Sequence, residues 1–169
     1  MKKNIGSVLA LYPTPLIVVG AVREEKPTWT LVGHTCIIGH DRVIISLADN
    51  HYINGIIKER NNLSINIVDR SILPAADYTG SVSGAKTDKS GVFDYEIGEA
   101  GTPVIQNSPL VMECSVVDTY KSKGFESFIC TIDNTLVEEE CLNEDGKIDA
   151  GSRTLQDHGD LKRIGHYAF

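Results

Sequence analysis

Apolar residues recur along this chain with two different periods, and the change of period predicts its elements. Leu16–Val22 (LIVVGAV) is a run dominated by β-branched residues. It is bounded by Pro15 and by the charged turn Arg23-Glu24-Glu25-Lys26-Pro27, which predicts a strand. Thr28–Gly33 predicts its hairpin partner, and Arg42–Ala48 a third strand. The spacing then becomes helical: Tyr52, Ile53, Ile56 and Ile57 follow the cap-forming Asp49 and Asn50, so residues 50–60 are expected to form an amphipathic helix. Leu63–Val68 returns to strand. Ser71-Ile72-Leu73-Pro74 has the polar cap and early proline of a second helix, ending near Gly80. Residues 80–102 are rich in Gly, Ser, Asp and Lys and lack a period. They read as a long functional or partly ordered loop with one helical turn around Lys89–Phe93. Leu110–Lys121 and Phe125–Glu139 are long strands joined at Ser122-Lys123-Gly124. The turn Asn143-Glu144-Asp145-Gly146 follows, and Leu161–Phe169 reads as a final strand or strand-helix edge.

Ahead of the first strand, Met1-Lys2-Lys3 and the apolar stretch from Ile5 have the outline of a signal peptide. Tyr12-Pro13-Thr14-Pro15 splits that stretch into two runs far too short to span a membrane, and no A-x-A-like cleavage site follows. The expectation is a short helix, a turn and then a strand, in a cytoplasmic protein with no membrane partner. Because the strands come as hairpins with helices inserted between them, the fold class expected is mostly β (α+β): an antiparallel barrel, not a doubly wound sheet.

The 169 residues fit a single domain spanning 1–169. A net charge of -7 excludes a general nucleic-acid binder, which needs a basic face. It also means that an anionic ligand must be held by a local group of donors and not by the overall field. Cys36, Cys114, Cys130 and Cys141 include no C-x-x-C pair, which favours buried thiols in a reducing compartment.

Several motifs offer chemistry and then fail on spacing. Gly80-Ser81-Val82-Ser83-Gly84-Ala85-Lys86-Thr87 has three residues between its glycines where a P-loop has four, Ala85 intervenes before the lysine, and no apolar strand precedes it. It can still offer Ser83, Lys86, Lys89 and backbone N–H groups to one phosphate. No G-x-G-x-x-G is present, so a Rossmann site has no support. His34 and Cys36 would share a face of a strand, but a zinc site needs three or four converging ligands, Gly39-His40 reads as a turn and His51 lies further along, so no metal is expected. No G-x-S-x-G elbow or nucleophilic cysteine context occurs, so no catalytic side chain is assigned. What remains is the junction Ser46-Leu47-Ala48 running directly into a helix, whose first N–H groups form a ready anion site unless Asp49 caps it.

These residues, in order, resemble the flavin reductase-like FMN-binding split-barrel family, in particular its flavoredoxin-like branch. The likeness runs from about Val8 to Tyr167. It rests on Tyr12-Pro13-Thr14-Pro15, Pro27-Thr28-Trp29-Thr30-Leu31, Ile45-Ser46-Leu47 with His51-Tyr52 and Ile56-Ile57-Lys58-Glu59, and Ser64-Ile65-Asn66-Ile67. Ala75-Ala76-Asp77-Tyr78, Ser83-Gly84, Asp88-Lys89-Ser90, Met112-Glu113-Cys114, the segment Leu142–Asp149 and His166-Tyr167 continue it.

The resemblance implies a split β-barrel homodimer with FMN in a groove near the subunit interface. It implies that Thr30, Leu31, Val32, His34 and Thr35 flank the isoalloxazine and ribityl chain. Ser46, Leu47, Ala48, His51, Tyr52 and Asn54 would lie along the ribityl-phosphate, with Ser83, Lys86 and Lys89 closing the phosphate end. The chain departs from the family at Ile53, where threonine is common, and at Gly124-Phe125-Glu126 and Cys130-Thr131-Ile132, where Gly-Asp-His and Gly-Glu-Val are common. The loss of that histidine bears on the nicotinamide side. Three activities stay open: an NAD(P)H-dependent flavin reductase passing hydride to flavin N5, an electron carrier that holds FMN and serves a redox partner protein, and a barrel that binds another phosphorylated or aromatic ligand. The first is the leading expectation, with NADH or NADPH as co-substrate. It needs no general base, since the protein's task is to hold donor and flavin in line.

Overall fold

Nine strands, two α-helices and a short 3-10 helix (Glu139–Cys141) make up the computed structural model, which describes residues 1–11 and 14–149. In chain order the strands and α-helices are β1 (Ile17–Arg23), β2 (Lys26–Val32), β3 (Thr35–Ile37), β4 (Arg42–Ala48), α1 (Tyr52–Arg60), β5 (Asn62–Ile67), α2 (Leu73–Ser81), β6 (Tyr95–Ile97), β7 (Pro103–Ile105), β8 (Leu110–Ser122) and β9 (Phe125–Val137). Seven strands form one sheet in the order β2-β1-β5-β8-β9-β4-β3, and every pairing in it is antiparallel. The sheet curls, so that Val32 of β2 and Val43, Ile45 and Leu47 of β4, far apart in strand order, share one apolar core. The result is the incompletely closed antiparallel barrel expected from the hairpin pattern.

α1 fills the barrel. Its Ile53, Ile56 and Ile57 are buried against Ile17, Val19, Leu63, Ile65 and Phe128. The helix stops at Asn61, whose φ of 55° is left-handed and whose N–H donates to Ile57 O at 2.7 Å. A second core lies on the opposite face of β1 and β2, where Val18, Trp29 and Leu31 pack against Ile72 and Ala76 of the α2 region, Phe93 and Ile105. β1 is therefore covered on both faces, which explains a continuous apolar run where a half-buried strand would alternate. Gly20 in that run is a close-approach position, because a Cβ there would meet the Trp29 ring.

The β6–β7 hairpin is pinned to the sheet by buried polar groups. Asn66 Oδ1 accepts from Ile105 N at 2.9 Å. The fully buried Glu113 carboxylate accepts from Thr102 Oγ1 at 2.8 Å, Ala100 N at 3.0 Å and Asn134 Nδ2 at 3.0 Å.

Several expectations are corrected. No helix forms before β1: residues 1–11 carry no regular element, and Ile5, Val8, Leu9 and Leu11 are exposed, so a short helix there would have no core face to stabilise it. The expected loop over 80–102 also contains the end of α2 and strand β6, while the turn expected around Lys89–Phe93 is present, with Val92 N donating to Lys89 O. All four cysteines are free thiols, and Cys114, Cys130 and Cys141 are buried, but Cys36 on β3 is exposed. The turn at Asn143–Gly146 forms, with Gly146 N donating to Asn143 O and Gly146 at φ 69°. The expected final element over Leu161–Phe169, with His166-Tyr167, lies outside the described residues, as do Tyr12 and Pro13.

Candidate functional site

Alternation along β2 sends Trp29 and Leu31 to the outer core and leaves Thr28 and Thr30 on the face turned toward α1. The start of α1 and the segment following α2 complete a cleft of about 260 Å³, lined by Thr28–Thr30, Asn50–Ile53, Gly80–Gly84 and Lys89. None of its lining residues is acidic, although the chain carries a net charge of -7.

The helix end is open. Its N-cap is His51, not Asp49; no side chain caps it, and its first turn holds no acidic residue. The first N–H groups of α1 thus lack intrahelical acceptors and concentrate the positive end of the helix dipole. His51 Nδ1 and Nε2 make no hydrogen bond within the described residues. Burial first, and the Lys89 charge second, hold its pKa below the ordinary histidine value.

Lys89 supplies the fixed charge. It is only 4% exposed, and its ammonium donates to Trp29 O at 3.0 Å and Thr79 O at 2.7 Å. Burial pushes its pKa down, and no carboxylate of the described residues pairs with it. An ammonium has three donors, so two carbonyls leave one for a ligand. Those carbonyls also tie the turn-rich segment 82–90 to β2 and to the end of α2. Gly84 packs there against Tyr52, where a Cβ would fall 2.8 Å from the ring and 3.1 Å from Thr28 Oγ1.

The predicted residues divide into groups. Thr30, His51, Tyr52, Ser83 and Lys89 surround the cleft. Lys86 lies beyond it, in an adjoining hollow of about 430 Å³ on the other side of Tyr52 and Gly84. Leu31 packs in the outer core, while Val32 and Leu47 pack in the barrel core. Asn54 is buried behind the helix start, where its Nδ2 donates to Ala48 O at 2.9 Å. His51 N donates to the same oxygen at 3.0 Å, so Ala48 and Asn54 shape the turn that presents His51.

His34, Thr35 and Ser46 form a separate group at the β3–β4–β9 edge. The His34 ring meets Phe125 edge-on at 5.4 Å, Thr35 donates to Ile44 O, and Ser46 Oγ lies 2.6 Å from Ser127 Oγ. Thr28 and Gly84 are additions. The two-residue period that places Thr30 also places Thr28, whereas Gly84 needed the fold. No set of three or more His, Cys, Asp or Glu side chains among the described residues is placed to hold a metal.

The Flavin reductase like domain matches residues 9–153. The chain belongs to the flavin reductase-like family. Among solved structures, flavoredoxin from Methanosarcina acetivorans is 29% identical with a TM-score of 0.83, covering 91% of this chain and 84% of that one. Flavoredoxin of Desulfovibrio vulgaris (Miyazaki F) is 30% identical with a TM-score of 0.80, covering 88% and 83%. An FMN-binding protein from Thermus thermophilus, 19% identical with a TM-score of 0.75 over 88% of this chain and 86% of that one, shares the fold. A comparison with curated proteins returns no match. In this flavin reductase-like chain no helix of the described residues is long and apolar enough to cross a membrane.

Proposed function

We propose that this protein binds FMN with the phosphate in the cleft between Lys89, His51 and the start of α1, and that NADH or NADPH reduces it. The observation that carries this reading is a cleft free of acidic side chains, in an acidic family member, with a buried ammonium at its floor. A phosphate fits what the chain leaves incomplete: the third donor of Lys89, the open N–H groups of α1, and an imidazole whose protonated form a nearby anion would favour. Thr28, Thr30 and Ser83 add hydroxyls for a ribityl chain. Bound FMN would supply the redox chemistry, taking hydride at N5; the chain's own part is to hold and orient.

At about 260 Å³ the cleft is smaller than the roughly 300–1,000 Å³ typical of sites for whole small molecules. The proposal therefore places the flavin ring outside it, toward the His34–Thr35 edge, and has a second copy of the chain cover the ring in a homodimer. The identities of 29% and 30% to two flavoredoxins favour a second reading, in which the same site holds FMN for electron exchange with a partner protein.

The test is to load the protein with FMN, remove oxygen, and add NADH or NADPH. Loss of the oxidised-flavin absorbance at a catalytic rate supports the reductase. A flavin that is bleached by dithionite but not by either nucleotide supports the carrier. A protein that takes up no FMN refutes both.

A further inference from the structure

The segment ahead of β1 differs in charge from the rest of the chain. Residues 1–11 hold Lys2 and Lys3 and no acidic side chain, in a chain of net charge -7. They carry no regular element, and Ile5, Val8 and Leu11 are 72%, 58% and 78% exposed. One exposed apolar side chain is ordinary, but several along one short segment favour a surface that takes them out of water.

A hollow of matching chemistry opens at the end of the sheet where this segment is rooted. It measures about 290 Å³, and Val104, Ile105, Val111, Leu136 and Val137 make up its apolar part. Its charged lining is Glu96, Glu138 and Glu139, with no basic residue among them. None of the three glutamates pairs with a cation among the described residues. Val68 N donates to Leu16 O at 3.2 Å, and Ser108, which lines the hollow, donates to Ile67 O at 2.9 Å. Root and hollow therefore border the same end of β5.

We infer that the hollow receives residues 2–8 from a second copy of this chain, with Ile5 and Val8 against its apolar part and Lys2 and Lys3 toward Glu138 and Glu139. The chain's own segment leaves its apolar side chains exposed although it starts beside the hollow. A second copy covers both, and two-fold symmetry seats the two segments in one reciprocal exchange. Extended, the stretch from Ile5 to Leu16 reaches roughly 35 Å, enough to cross to a neighbour. The contact adds to the homodimer proposed above and is independent of its flavin, because no residue of the hollow lines the cleft.

Cross-linking and sedimentation equilibrium of the full chain test it. Isotope-labelled and unlabelled protein are diluted together, reconcentrated, and treated with a carbodiimide, which joins only amines and carboxylates in contact. Peptides linking Lys2 or Lys3 to Glu138 or Glu139 are expected in mixed-label form. Ile5→Asp/Val8→Asp, at exposed positions, is expected to weaken the dimer by at least about tenfold. Lys2→Glu/Lys3→Glu should weaken it less, with recovery when Glu138→Lys/Glu139→Lys is added. Links of a single label alone would show the segment folded onto its own chain, and no links would mean another occupant; either result overturns the exchange. A monomeric wild type, or a dimer that Ile5→Asp/Val8→Asp leaves unchanged, overturns it as well. Titration of the wild type with FMN reads the flavin site separately, and its failure would leave this contact standing.

Discussion

Glu113 and Lys89 are both buried charged residues, and the structure treats them differently. Around Glu113, two protein side chains and a backbone N–H converge on the carboxylate, and Gly98 packs so closely that a Cβ there would strike it. Around Lys89, two backbone carbonyls take part of the ammonium's capacity and the rest faces a cleft. A buried ion with partners on every side is a structural anchor, here for the β6–β7 hairpin. A buried ion left short of partners at a concave surface is a place for an opposite charge to arrive, since its desolvation has not been fully compensated.

The largest expected effect breaks the anchor. Glu113→Ala leaves Thr102, Ala100 N and Asn134 without their acceptor and should lower stability by about 2–4 kcal/mol, on the order of 10 °C in melting temperature. Differential scanning calorimetry of the ligand-free protein measures it. Because Glu113 sits on β8 and does not line the cleft, FMN affinity at low temperature should change little.

Lys89→Met inverts that pattern. Methionine keeps much of the stem's packing and removes the ammonium, so ligand-free stability should stay within about 1 kcal/mol. FMN affinity should fall by about 1.4–2.7 kcal/mol, or 10- to 100-fold. If both variants lost stability equally and neither lost affinity, the distinction between the two sites would be false.

A smaller effect is pH-dependent. The His51 pKa is lowered in the ligand-free protein, by burial first and Lys89 second. Its contribution to stability is therefore full above the unfolded value of about 6.5 and is lost as pH falls through the lower folded value. A bound phosphate opposes that shift and draws a proton onto His51. Relative to His51→Asn, which retains a good N-cap residue and carries the phosphate's own titration, wild-type affinity for FMN should improve by about threefold between pH 7 and 6. Isothermal titration calorimetry in two buffers of different ionisation heat would also detect the proton uptake.

Much of this arrangement was legible in the chain itself. β4 keeps the limits Arg42–Ala48 set by its β-branched run, and α1 follows from the spacing of Ile53, Ile56 and Ile57. β3, β6 and β7 were not legible: each is three residues long, too short to establish a period, and on β3 Cys36 and Ile37 face solvent. The burial of Glu113 was not legible either, because its partners Thr102 and Asn134 come from distant segments that only the fold brings together. Lys86 and Lys89 look alike three residues apart in an aperiodic stretch, yet one is exposed and the other 4% exposed. The turn at 82–90 decides that difference, and local composition carries no record of it.

The central claim is that a cationic, acid-free cleft at the start of α1 holds a phosphate ester. The most direct measurement is the affinity of the full chain for FMN against riboflavin, which differs from it only by the phosphate, across a range of salt concentrations. The account predicts that FMN binds at least about 100-fold more tightly at low salt, with an advantage that shrinks in Lys89→Met. Equal affinity for the two, or a preference for FMN that Lys89→Met leaves intact, would contradict it.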